Sequence, residues 1–138
     1  AKDWWQARPW VCGFNYLPSS AVNFIEMWHP ETFDMPTIER ELDWAAKVGF
    51  NAIRVNLPFL GWQHDRDGLL DRLDRLMGTA SSFGLSTVPC LFDDCGFGGE
   101  EPVWGPQPDP LPGIHNSRAV ASPGRTAVLD PRSSTLRR

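Results

Sequence analysis

Apolar side chains fall into two kinds of pattern along this chain, short continuous runs and longer segments with helical spacing. The short runs, typical of buried β-strands, cover residues 9–17, 50–57 and 85–92. The helical segments, each with an apolar and a charged face, cover residues 35–48 and 68–83. Asp34 is the expected N-cap of the first helix, and Gly49 and Gly84 are the expected left-handed residues at the two helix ends.

Proline and glycine change the expectation for the third run and for the chain that follows it. Pro89 has no N–H to donate, which predicts a bulge or an unpaired position in that strand. Residues 96–138 hold seven of the thirteen prolines and six of the twelve glycines. We therefore expect a long loop over residues 95–129, followed by an N-cap at Asp130 that begins another helix.

The order strand, helix, strand, helix, strand predicts an α/β fold in which the strands pair in parallel. Two architectures satisfy this order, a doubly wound sheet and a (β/α)8 barrel. A doubly wound nucleotide-binding fold places a glycine-rich turn after its first strand. Here the chain reads NYLPSSAVN at that point, without a phosphate-binding glycine motif, so a nucleotide site has little support.

The composition argues against several classes of protein. The 138 residues suffice for one packed domain, and a mean hydropathy of -0.32 without an apolar run of about 18 residues argues against a membrane protein. Residues 1–117 carry 16 acidic side chains against 8 lysines and arginines, which offers nucleic acid no surface to bind. The spacing of the three cysteines matches neither a zinc site nor a redox pair, and no cofactor is expected.

Polar side chains stand in or just after the predicted strands, whose carboxyl ends carry the functional groups in parallel α/β folds. They are Asn15, Tyr16, Arg54, Asn56, Asp93 and Asp94. An arginine in the middle of a buried strand is costly unless a carboxylate pairs with it. We therefore expect Asp93 or Asp94 to hold Arg54 in the mouth of the fold, with a purely architectural salt bridge as the alternative.

The two neighbouring aspartates invite a chemical interpretation as well. Because adjacent residues of a strand face opposite sides, one of Asp93 and Asp94 is expected to point into the mouth. Paired carboxylates near His115 and Asn116 would suit acid–base catalysis or a metal ion, while a helix-capping or loop-fixing role is an equal alternative. The two later residues lie in the proline-rich loop, where nothing sets their geometry, and no metal site is predicted.

Three tryptophans follow predicted strand ends instead of lying on helix faces: Trp28, Trp62 and Trp104. An indole ring can stack on the apolar C–H face of a sugar and donate its N–H to a hydroxyl group. This placement favours a carbohydrate ligand. The alternative for each tryptophan is a packing role that fixes a loop over the end of the sheet.

Several segments, in order along the chain, resemble one family of enzymes. They read RPWVCGFNYLPSSAVN, EMWHPETFD, ELDWAAKVGFNAIRVNL, FDDC, GPQPDPLPGIHNS and SPG. Together they resemble the N-terminal part of cellulase-like (β/α)8 glycoside hydrolases, in particular the bacterial 1,4-β-xylanase or cellulase-like group, from about Trp4 to Asp130. The resemblance implies a retaining hydrolase of β-linked polysaccharides or oligosaccharides, with two catalytic glutamates about 5 Å apart.

In that family the acid/base glutamate follows an asparagine at the end of the fourth strand, and the nucleophile ends the seventh strand. No glutamate of this chain follows an asparagine, so no catalytic residue is assigned. Arg54 corresponds to the arginine that orients the nucleophile, and Ala119 stands where a tryptophan is expected. The expected substrate-binding residues, with Trp62 added for its place after the second strand, are Asn15, Trp28, Arg54, Trp62, Asp93, Asp94, His115 and Asn116.

A whole barrel takes roughly 250 residues, so residues 1–138 are expected to form the first three strand–helix units of an incomplete (β/α)8 barrel. Such a fragment is expected to be inactive alone. Its expected partners are a carbohydrate substrate and, because its outer strands would be exposed, the remainder of the barrel or another copy. The alternatives are a non-catalytic carbohydrate-binding or interaction module, and a different (β/α)8 hydrolase whose metal ion is held by Asp93, Asp94 and His115.

Overall fold

The fold combines a small parallel sheet with helices in a computed structural model that describes residues 2–7, 9–93 and 100–130, with Trp4 described by its backbone alone. Asp94, one of the expected substrate-binding residues, lies outside the described residues. The strands are β1 (Gly13–Asn15), β2 (Ala52–Asn56) and β3 (Ser86–Cys90). The helices are α1 (Lys2–Gln6), α2 (Phe24–Trp28), α3 (Met35–Lys47), α4 (Phe59–His64), α5 (Arg66–Ser82) and α6 (Arg125–Leu129).

The described strands form one parallel sheet in the order β1, β2, β3, so the predicted α/β class is confirmed. The register places Arg54 of β2 between Asn15 of β1 and Val88 of β3. Because side chains alternate along a strand, Ile53 and Val55 point to the face opposite that of Arg54. Ile53 and Val55 are buried in the core, which leaves Arg54 on the other side of the sheet.

Helices α3 and α5 pack against each other and cover one face of the sheet. The buried side chains of this core include Ile38, Leu42, Ile53, Val55, Leu69, Leu76 and Ala80. On the opposite face, Val88 is 53% exposed. That face is therefore open to solvent at β3.

The two long helices begin and end close to the predicted positions. Asp34 caps α3, because its Oδ1 accepts a hydrogen bond from the N–H of Thr37 at 3.1 Å. Gly49 follows α3 with φ 98°, and Gly84 follows α5 with φ 76°, as expected of residues that end a helix in the left-handed region. None of the described helices combines the length and the hydrophobicity that crossing a membrane requires.

The first strand is much shorter than the predicted run over residues 9–17. Trp10 and Val11 are exposed, so the start of that run does not contribute to the core. The side chain of Asn51 holds residues 10–12 by hydrogen bonds, in place of a regular ladder of strand hydrogen bonds. Its Nδ2 donates to the carbonyl of Trp10 at 2.8 Å, and its Oδ1 accepts from the N–H of Cys12 at 2.8 Å.

Helices α2, α4 and α6 lie in stretches for which the apolar pattern predicts no helix. They are five or six residues long, too short for helical periodicity to stand out. Asn23 caps α2, and Glu26 follows it at the three-residue spacing of a capping box, although its carboxylate accepts from the N–H of Val22, one residue before the cap, at 2.6 Å. Helix α6 lies inside the predicted loop 95–129 and ends at Asp130, and the helix predicted to begin there lies outside the described residues.

The ladder between β2 and β3 continues in register through Pro89, so the predicted bulge is wrong. The hydrogen bonds to β2 involve the N–H of Ser86, which donates to Asn51, and the carbonyl of Cys90, which accepts from Leu57, both at 2.9 Å. Because peptide groups alternate sides along a strand, the nitrogen of Pro89 points to the outer edge of the sheet. A proline is tolerated there because no partner on β2 needs its missing N–H.

Replacing Asp34 by alanine is expected to lower the midpoint of urea unfolding, because the N–H of Thr37 loses its acceptor. Hydrogen bonds from the Thr37 side chain and from the Thr37 N–H hold the pKa of Asp34 below its usual value of about 3.9. The stabilisation is therefore complete above about pH 4 and is lost as the pH falls through the lower pKa of the folded chain.

Asp43→Ala is the matched control for this experiment, because it removes a surface ion pair with Lys47 on the same helix. This control should leave the midpoint of unfolding nearly unchanged. Equal midpoints for the wild-type and Asp34→Ala chains at pH 7 would contradict the capping role.

Candidate functional site

A cavity of about 380 Å³ lies at the carboxyl ends of the strands. Its wall includes five of the residues that the sequence predicts to bind substrate: Asn15, Arg54, Asp93, His115 and Asn116. They come from β1, from β2, from the chain after β3 and from the long loop that precedes α6. A concave space with a few convergent polar groups is the usual form of a small-molecule site.

Arg54 is half-buried and points into this cavity from the open face of the sheet. Its Nη1 donates to Oδ1 of Asn15 at 3.1 Å, and its Nη2 donates to Sγ of Cys90 at 3.0 Å. Within the described ranges no carboxylate forms an ion pair with Arg54, so the predicted pairing with Asp93 is wrong, and Asp94, the other predicted partner, lies outside the described residues. The reason is the open face, where water reaches the guanidinium and neutral partners suffice.

Asp93 faces Asn56, because its backbone follows a bridge to the long loop. Asp93 and Ser122 exchange two backbone hydrogen bonds, of 2.9 and 2.7 Å, in an isolated antiparallel bridge. The Asp93 carboxylate accepts a hydrogen bond from Nδ2 of Asn56. The register explains why Asp93 contacts Asn56 and not Arg54. Arg54 is level with Val88, five residues before Asp93, whereas Asn56 lies two residues further along β2 and so closer to Asp93.

Ser122 also fastens the long loop to the sheet. Its Oγ accepts from the N–H of Phe59 at 2.9 Å and lies 3.3 Å from the carbonyl of Leu57, to which it donates. Asn116 adopts a left-handed conformation with φ 49°, which asparagine tolerates better than most residues. This turn carries His115 and Asn116 to the cavity wall.

Trp28 does not reach the cavity, contrary to the prediction. It is 0% exposed, and helix α2 turns its ring into the core, where it stacks on Phe33 with ring centroids 6.0 Å apart. Its Nε1 donates to the carbonyl of Asn56 at 2.7 Å. Trp28 therefore supports the site from behind, through the backbone of a residue that lines it.

The other two tryptophans also lie away from the cavity wall. Trp62 is on α4, under the guanidinium of Arg66, whose central carbon lies 4.4 Å from the ring centroid. Trp104 packs against His29 and His64, with ring centroids 4.9 and 5.8 Å apart. The packing role, which was the alternative for these tryptophans, is the one that the geometry fits.

The cavity wall includes three polar residues outside the predicted substrate-binding set: Tyr16, Asn23 and Asn56. Tyr16 and Asn56 are polar residues at predicted strand ends, and the position of Asn56 two residues after Arg54 puts it on the same face. Asn23 precedes Glu26 by three residues, the capping-box spacing that would have revealed the helix α2. These signals are local and were present in the sequence.

Tyr16 is buried, and its hydroxyl donates to Oε2 of Glu41 at 3.0 Å. Glu41 also accepts from the N–H and the hydroxyl of Ser19, so one carboxylate ties the chain after β1 to helix α3. Burial, with the neighbouring carboxylate of Glu41, raises the pKa of Tyr16 well above its usual value. The phenol therefore stays protonated and acts as a hydrogen-bond donor.

Among the described residues that line the cavity, Asp93 is the carboxylate. The glutamates with described partners serve local contacts elsewhere: Glu26 at the start of α2, Glu41 beside Tyr16, and Glu101 as an acceptor for the N–H of Thr126. In the part of the chain that the structure describes, no group of three or more His, Cys, Asp or Glu side chains is placed to hold a metal ion.

Comparisons with known proteins bear on the fold. No protein-family model and no curated protein matches the chain. Among solved structures, the chain is similar to the exo-β-1,4-mannosidase Op5Man5 from Opitutaceae bacterium strain TAV5, with 30% sequence identity and a TM-score of 0.52. The match covers 59% of this chain and 14% of the mannosidase, so the chain spans a small part of that enzyme's length. Over the matched segment the chain has a glycoside hydrolase fold.

Trp28→Phe is expected to lower the free energy of unfolding by about 1–3 kcal/mol, because it leaves a void and removes the donor to the Asn56 carbonyl. Trp44→Phe is the matched control, since Trp44 is exposed on α3, and its effect should stay within about 0.5 kcal/mol. Urea unfolding followed by circular dichroism measures both. Equal losses in the two variants would show that Trp28 has no special place in the core.

Proposed function

We propose that this chain binds a β-linked oligosaccharide or polysaccharide in the cavity at the carboxyl ends of its strands, as part of a retaining glycoside hydrolase. The observation that carries the proposal is the convergence of Asn15, Arg54, Asp93, His115 and Asn116 on one cavity in a chain with a glycoside hydrolase fold. One similar solved structure is an exo-β-1,4-mannosidase, which supports a β-1,4-linked substrate.

The chemistry of the cavity wall suits a saccharide. Sugar hydroxyl groups both donate and accept hydrogen bonds, and the wall offers amides at Asn15 and Asn116, a carboxylate at Asp93 and a guanidinium at Arg54. Aliphatic and aromatic side chains of the same wall supply apolar contact for the C–H faces of a sugar ring. Ala119, in the position where the family resemblance predicts a tryptophan, leaves room at one wall.

The catalytic pair of such an enzyme lies outside this chain in our proposal. Hydrolysis with retention needs a proton donor and an opposing nucleophilic carboxylate. The described cavity wall contributes the carboxylate of Asp93, which already accepts a hydrogen bond from Asn56. We therefore assign Asp93 and Arg54 to substrate binding and to the support of catalytic groups from further strands.

A non-catalytic carbohydrate-binding module is the second candidate. It is favoured by the same observation, since a wall with one described carboxylate can bind a sugar without cleaving it. Turnover distinguishes the two functions once further strands of the barrel are supplied, because an assembled hydrolase cleaves its ligand and a binding module does not.

The 138-residue chain is expected to bind β-1,4-linked mannotetraose in NMR titration without hydrolysing it. Arg54→Met should weaken binding at least about tenfold, because it removes charge-assisted hydrogen bonds to the ligand. Arg66→Met is the matched control, since Arg66 packs on Trp62 away from the cavity, and it should leave affinity unchanged. Equal affinity of the Arg54→Met and wild-type chains would contradict the assigned site. Turnover that Asp93→Asn abolishes would make Asp93 catalytic.

A second feature supports the proposal that the chain belongs to a larger barrel. An apolar groove of about 590 Å³ runs beside β3, and its walls include Leu70, Leu73, Leu91 and Phe92. Leu91 and Phe92 are each 61% exposed. We propose that a further strand and helix of the same barrel occupy this groove, because each described strand pairs in parallel with the next and α3 already packs on α5 in the same manner.

Without that neighbour, the 138-residue chain is expected to self-associate through the groove. Phe92→Asp should shift its sedimentation towards the monomer, because a charge in the groove opposes apolar contact. Val103→Asp is the control, since Val103 is comparably exposed in the long loop and does not line the groove. A wild-type chain that sediments as a monomer at all concentrations would contradict this expectation.

A further inference from the structure

We propose that Asn23 is a positioning residue that holds residues 107–118 over the cavity, and so presents His115 and Asn116 to the ligand. The inference rests on the proposed function as far as the ligand is a saccharide. It does not depend on that function for the structural step, which is the attachment of the loop to α2 through one side-chain amide.

The amide of Asn23 uses all of its principal hydrogen-bonding capacity within the protein. The residue is 3% exposed. Its Oδ1 accepts from the N–H groups of Ile25 at 3.0 Å and Glu26 at 3.1 Å, which caps α2. Its Nδ2 donates to Oε1 of Gln107 at 2.8 Å and to the carbonyl of Arg118 at 2.9 Å. One side chain therefore joins a helix start to both ends of a loop segment.

The segment between these two ends is closed by its own hydrogen bonds. Nε of Arg118 donates to the carbonyl of Asp109 at 2.7 Å, and the N–H of Leu111 donates to Oγ of Ser117 at 2.9 Å. The residues from 108 to 116 are all exposed, so packing contributes little to their placement. We infer that the attachment of its two ends to Asn23 contributes to the position of this segment, and with it of His115, over the cavity.

The oxygen and the nitrogen of the Asn23 amide bind different groups, so a substitution can remove the hydrogen bonds to the loop and keep those that cap α2. Asn23→Asp keeps an oxygen acceptor for the N–H groups of Ile25 and Glu26, and aspartate is as good an N-cap as asparagine. It removes the two donors and sets a carboxylate against the Gln107 Oε1 and the Arg118 carbonyl. Helix α2 should therefore persist while the loop is released.

Trypsin provides a direct readout, because the bond it cleaves after Arg118 begins at the carbonyl that Asn23 holds. In limited proteolysis of the full chain, followed by mass spectrometry, Asn23→Asp should raise the rate of cleavage after Arg118 at least about tenfold. The midpoint of urea unfolding should stay close to that of the wild type, which separates loop release from general destabilisation.

Asn51→Asp is the matched control. Asn51 makes the same kind of contacts at the opposite end of the sheet, donating to the Trp10 carbonyl and accepting from the N–H of Cys12. The same change of amide to carboxylate there should leave cleavage after Arg118 unchanged. Equal cleavage after Arg118 in the Asn23→Asp and wild-type chains would overturn the inference.

Binding of β-1,4-linked mannotetraose tests the second step. Asn23→Asp should weaken its affinity several-fold and reduce the ligand-induced shift of the His115 imidazole signal, whereas Asn51→Asp should do neither. Faster cleavage with unchanged affinity would overturn the positioning role. A wild-type chain that binds no saccharide contradicts the proposed function, while the cleavage rates still decide whether Asn23 holds the loop.

Discussion

The alternation of side chains along β2 is the constraint on which the rest of this structure depends. Ile53 and Val55 fill the core beneath α3 and α5, and the residues between and after them, Arg54 and Asn56, face the cavity. A register shift of one residue would exchange the two sets and lose both core and site. Asn56 connects the two, because its carbonyl holds the indole of Trp28 and its amide holds the carboxylate of Asp93.

The cavity depends equally on contacts that are distant in sequence. The long loop returns to the sheet at Ser122, which forms hydrogen bonds with Asp93 and with the chain after β2. The same loop is attached to α2 through the side-chain amide of Asn23. These contacts are hydrogen bonds of single side chains and short backbone bridges. Arg54 therefore reaches the cavity wall from the sheet, whereas His115 reaches it from a loop that a small number of hydrogen bonds attach.

The sequence predicts the elements of this fold better than the partners of its side chains. Asp34 and Gly49 mark the ends of α3 because a cap and a left-handed residue are local requirements, readable from their neighbours alone. The polar lining was largely predictable for a similar reason, since the carboxyl ends of parallel strands converge. The position of the Trp28 ring could not be predicted, because it is set by a helix of five residues, which is too short to show a periodic pattern. That helix decides whether the ring faces the cavity or the core. The described partners of Arg54, Asn15 and Cys90, were not predicted, because they depend on the solvent exposure of the open face, a property of the assembled sheet.

Pro89 has a consequence for any strand that adds to the outer edge of β3. Such a strand finds no donor at this position, so the ladder it forms is short of one hydrogen bond, and the neighbouring apolar groove at Leu91 and Phe92 supplies most of the attraction. Apolar attraction weakens on cooling and strengthens with salts that are excluded from protein surfaces, whereas the strength of a backbone ladder depends less on either. A strand that adds at this edge, as proposed above, would therefore be expected to bind less tightly on cooling.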